Sequence, residues 1–76
     1  MKLTIGDIIV PEHHENVFEN LQRLIQDTPE YVHIQPMYEI IDVHDSIKQQ
    51  KLYVILGMPT LFESELSKVF GKFKVI

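Results

Sequence analysis

Apolar residues along this chain alternate by twos, then recur at helical spacing, and then repeat that change once more. A strand buries every second residue and a helix buries residues about 3.6 apart, so the pattern limits the chain to interleaved strands and helices. Lys2 to Val10 alternates and ends in β-branched residues, which predicts a strand. Gly6-Asp7 suggests a bend within it and Pro11 closes it. From Glu12 to Thr28 the apolar positions are Val17, Leu21, Leu24 and Ile25, with Phe18 beside them, which predicts a helix. Glu12 and Glu15 suit the positive end of its dipole, and Thr28-Pro29 should end it.

Tyr31 to Val43 is β-rich but contains Pro36, which cannot donate to a ladder, so the spacing predicts an edge strand or a broken one. His44 to Gln50 reads as a turn. Lys51 to Met58 is apolar on both alternating faces, which predicts a central strand. Leu52, Val54 and Leu56 are expected to face the helices, leaving Tyr53 and Ile55 on the open side. Thr60 to Phe70 predicts a second helix, with Thr60 and Glu63 as a capping box and Gly71 as its left-handed stop. Lys72 to Ile76 alternates as a last short strand. The order is β-α-β-β-α-β in one domain spanning residues 1–76. The expected fold is therefore α+β and ferredoxin-like, a four-stranded antiparallel sheet in the order 4-1-3-2 with both helices on one face.

A chain of 76 residues must hold such a fold together with a small core, and it has no cysteine to reinforce it. Apolar residues at 45% with few Gly and Pro argue against disorder. The apolar runs are far shorter than the roughly 20 residues of a membrane span, and the N-terminus does not read as a signal peptide. The expected compartment is the cytoplasm, or the host cytoplasm for a viral protein. Net charge is −4, although Lys48, Lys51, Lys68, Lys72 and Lys74 make the last third locally basic. That stripe is weaker than nucleic-acid binders carry, so neither nucleic acid nor membrane is an expected partner.

Ile41-Asp42-Val43, followed after residues 44–58 by Pro59-Thr60-Leu61, resembles the thioredoxin-like pattern. The stretch Tyr53-Val54-Ile55-Leu56-Gly57-Met58-Pro59-Thr60-Leu61 carries the likeness. The resemblance implies a cis peptide before Pro59 and a helix over residues 46–53. The chain lacks the Cys-x-x-Cys of thioredoxins, so thiol–disulfide exchange is excluded. The cysteine-free relatives it is similar to are KaiB-type proteins, which act by binding other proteins. The alternative function is thus a redox-inactive adaptor. The pattern of elements favours the ferredoxin-like reading.

Chemistry-bearing residues are sparse. His13 and His14 are adjacent, whereas helical metal ligands usually stand four apart on one face. His33 and His44 are isolated in sequence. A histidine metal site or small enzyme is the third reading. The serines have no nucleophile-elbow context and the glycines build no phosphate loop. No catalytic residue, metal or cofactor is assigned, and the expected protein is not an enzyme. What stands out is surface. Tyr31, His33, Met37 and Tyr38 lie on the second strand, and Tyr53 and Ile55 on the presumed open sheet face. Tyr and Met are enriched at interfaces, and an apolar open face marks a contact surface. These six residues are the predicted partner-binding set. The expected function is a binding or regulatory module that works through protein–protein contacts. It should form a homo-oligomer through the sheet face or the second-strand edge.

Overall fold

A computed structural model describes residues 3–28, 30, 32–47 and 49–76. The protein is α+β. Its strands are β1 (Ile8–Pro11), β2 (Tyr38–Asp45), β3 (Lys51–Ile55), β4 (Leu61–Phe62) and β5 (Phe73–Val75). A short 3-10 turn at His14–Asn16 leads into helix α1 (Val17–Leu24), and α2 (Glu63–Phe70) lies between β4 and β5. The strands form one antiparallel sheet in the order β4-β3-β2-β1-β5.

That order corrects the ferredoxin-like expectation. The first strand pairs with the second, not the third, and the strand after Pro36 is central, not an edge. The reason lies in the connection. In the expected arrangement a long helix would return the chain so that the first two strands run parallel. Here α1 stops at Leu24, because Ile25 turns extended (φ −129°, ψ 108°) instead of continuing toward Thr28. Residues 25–37 then have the reach to bring the chain back antiparallel to β1. Pro36 causes no conflict, since β2 begins only at Tyr38.

The sheet curls at β2. Its first residues pair with β1, and from Ile40 onward it pairs with β3, with a register shift between Ile40 and Asp42. Such a bulge bends a strand and lets it serve two neighbours at an angle. Ile40 sits at the crossing, where its N–H donates to the Asp7 carbonyl and its carbonyl accepts from Gly6.

The curl also selects which face is buried. Tyr53 and Ile55 point inward, opposite Val43 and Ile40, and both are almost wholly buried. Leu52 and Val54 are half-buried on the outer face and Leu56 is exposed, the reverse of the expected orientation. Both alternating sets are apolar, so pattern alone could not choose between them. The core joins Ile9, Tyr38, Ile40, Tyr53, Ile55 and Leu61 of the sheet to Val17 and Leu21 of α1 and to Leu66, Val69 and Phe70 of α2. Phe70 packs against Tyr38 (ring centroids 5.1 Å) and edge-on against Phe73 (6.1 Å), tying α2 to β2 and β5.

The helix ends differ in detail from expectation. The cap of α2 lies at Phe62, not Thr60, and the Phe62 N–H donates to Glu65 Oε1 at 2.8 Å. Gln50 reaches across from the β2–β3 turn to accept from the Ser64 N–H at 3.1 Å. At the other end Asn20 of α1 donates to the Val69 carbonyl at 3.1 Å. Among the described residues no peptide is cis, and β3 takes the last three residues, 51–53, of the segment 46–53 that the thioredoxin-like resemblance implies to be helical.

Candidate functional site

Four of the nine large apolar side chains exposed among the described residues, Ile34, Met37, Ile41 and Leu56, lie on the segment 32–37, on β2 and on the turn after β3. Tyr38 organises the junction of that segment with the turn from below. Its ring is buried while its hydroxyl accepts from the Gln35 N–H at 3.0 Å, holding the segment against the sheet. The turn is held from the other side, as the Leu56 N–H donates to the Glu39 carbonyl at 3.0 Å and the Met58 N–H to Ile55 at 3.1 Å. Gly57 has φ +79°, and a Cβ there would lie 3.0 Å from Gln35 Nε2, so the turn and the segment are in close contact.

With the backbone fixed in this way, side chains that cannot enter the core remain outside. Ile34 is 40% exposed, Met37 45%, Ile41 42% and Leu56 54%, and His33 is exposed as well. Ile41 is there because the bulge leaves it without a partner in β3. Nearby, the turn at Thr4–Asp7 presents Ile5 over a groove of about 560 Å³ lined by Leu3, Thr4, Ile5, Val43 and Lys51. Single exposed apolar side chains are ordinary, but several on segments joined by hydrogen bonds make a patch.

The six predicted partner residues therefore divide. His33 and Met37 stay on the surface. Tyr38, Tyr53 and Ile55 are core residues at 1% exposure each and cannot meet a partner, a correction that follows from the reversed face of β3 and the central position of β2. Tyr31 lies outside the described residues. Ile34, Ile41 and Leu56 were missed. Leu56 carried the one usable signal, a large apolar side chain directly before a glycine turn, where a strand runs out of core to cover it.

Charged groups pair locally. Lys51 Nζ donates to Asp45 Oδ1 at 2.5 Å, which holds the carboxyl below its usual range and the ammonium above its own. His44 Nε2 lies 3.0 Å from Asp42 Oδ2. Glu15 lies between His13 (3.4 Å) and His14 (3.9 Å). Its carboxyl is lowered mainly by its own backbone N–H and further by His13. Among the described residues no three acidic or histidine side chains converge to hold a metal ion. None of the described helices is long and apolar enough to cross a membrane. Comparison with protein-family models, with curated proteins and with solved structures gives no match.

Proposed function

We propose that this protein is a small non-enzymatic binding module that acts through protein–protein contacts and self-associates through the patch around Met37 and Leu56. The observation that carries the reading is the exposure of Ile34, Met37, Ile41 and Leu56 on segments tied together by the hydrogen bonds at Tyr38 and Glu39 and by the close approach at Gly57. A preorganised apolar patch loses little entropy on docking, which favours association. A second copy is the simplest partner, because a two-fold contact buries the same patch on both subunits. Light scattering after size-exclusion chromatography tests this. A dimer at high micromolar concentration, dissociated by Met37→Glu with Leu56→Lys, is expected. A strict monomer at that concentration overturns the self-association.

A further inference from the structure

The sheet ends at β5, and the ladder geometry shows which peptide groups are free there. In an antiparallel pair, alternate residues turn their N–H and C=O toward the neighbour. Ile76 exchanges both bonds with Ile8, at 2.9 and 3.0 Å, and the Lys72 carbonyl accepts from Glu12 at 2.8 Å. Lys74 stands between them, opposite Val10. Residues 72, 74 and 76 thus face β1. The peptide groups of Phe73 and Val75 face outward, where no strand pairs with them among the described residues.

The side chains alternate in the same register. Phe73 and Val75 stand opposite the buried Pro11 and Ile9. Lys72 and Lys74 lie on the other face with Val10, and a groove of about 480 Å³ lined by these three, Glu12, Pro11 and Phe73 runs around this end of the sheet. Neither lysine forms an ion pair among the described residues, in a protein of net charge −4.

We propose that the β5 edge takes an extended acidic segment of a partner protein as an added strand, its outward carboxylates facing Lys72 and Lys74. Main-chain bonds to Phe73 and Val75 supply the docking and the two ammonium groups the selectivity. A second copy is disfavoured at this edge. Two β5 strands paired about a two-fold axis would place the lysines of both copies on one face, and opposed like charges destabilise a strand pair. The inference is independent of the patch at Met37 and Leu56.

The test is titration of isotope-labelled protein, at low salt, with the capped peptide Thr-Glu-Val-Glu-Val-Glu and with its Lys-for-Glu counterpart. Expected are amide shifts and slowed exchange at Phe73 and Val75 with the acidic peptide alone, weakened by added salt. Val75→Pro deletes an outward N–H and none of the bonds to β1, so it should abolish binding. Lys72→Glu with Lys74→Glu changes charge without touching the ladder. It should weaken the acidic peptide about tenfold and favour the basic one. Equal binding of both peptides, shifts confined to other surfaces, or no shift at millimolar peptide overturns the proposal.

Discussion

Tyr38 does two things with one side chain. Its ring fills the core against Phe70, and its hydroxyl restrains the segment that carries Met37. Tyr38→Phe keeps the ring and removes the acceptor for Gln35. The expected cost is about 1 kcal/mol, with faster amide exchange at Gln35 and an unchanged core. Urea unfolding and hydrogen exchange measure both, and unaltered exchange at Gln35 would show that the hydroxyl restrains nothing. Burial also raises the ionisation of both Tyr38 and Tyr53 above the ordinary tyrosine value. The sign follows from linkage. Unfolded tyrosines lose their protons first as pH rises, so this contribution is complete below about pH 10 and is lost as pH climbs through the folded-state values. The melting temperature should therefore fall above about pH 10. The fall should be shallower in the Tyr38→Phe, Tyr53→Phe double variant, and equal slopes in the two proteins would rule the tyrosines out. Both tyrosines are recognisable in the sequence as large β-formers. Their burial was not, because an alternating strand shows two faces and does not say which is inside.

At the scale of elements, the helices were the most legible. The stripe Leu66, Val69 and Phe70 is buried as its spacing predicts, and so are Val17 and Leu21. Helical periodicity is a local property, so the buried faces were legible, although α1 spans only Val17–Leu24 where Glu12 to Thr28 is the expected helix. The ends were less legible, since they depend on partners distant in sequence, such as Gln50 at Ser64 and Asn20 at Val69. Gly71 is the exception. It ends α2 with φ +64° and ψ −136°, a backbone conformation close to glycine-only territory rather than the expected left-handed helical one. Nothing lies within 4 Å of where its Cβ would be, so the penalty for a side chain there is purely conformational. Gly71→Ala should cost about 1–3 kcal/mol, read as a lower urea midpoint at unchanged slope. A change below a few tenths would mean that the turn relaxes freely.

For the whole molecule, a domain of this size has about 4–11 kcal/mol of stability, so mass action from self-association is visible against it. If the patch around Met37 and Leu56 joins two copies, the melting temperature should rise with protein concentration in the native chain and stay constant in the Met37→Glu, Leu56→Lys variant. Differential scanning calorimetry over a hundredfold range of concentration measures this. A concentration-independent melt in both chains would leave the patch without a self-partner.

The sequence by itself determined the α+β class, the two helices and the main strands, because each follows from spacing within a short window. It determined as well that thiol chemistry is absent. Only the tertiary structure decided that β1 pairs with β2, that the curl at Ile40 turns Tyr53 and Ile55 inward, and that Leu56 and Ile41 remain outside with Met37. The physical reason is that strand order and sheet face are set by pairing between distant segments. That pairing depends on where α1 stops and how far residues 25–37 reach, and neither is encoded in the period of any one strand.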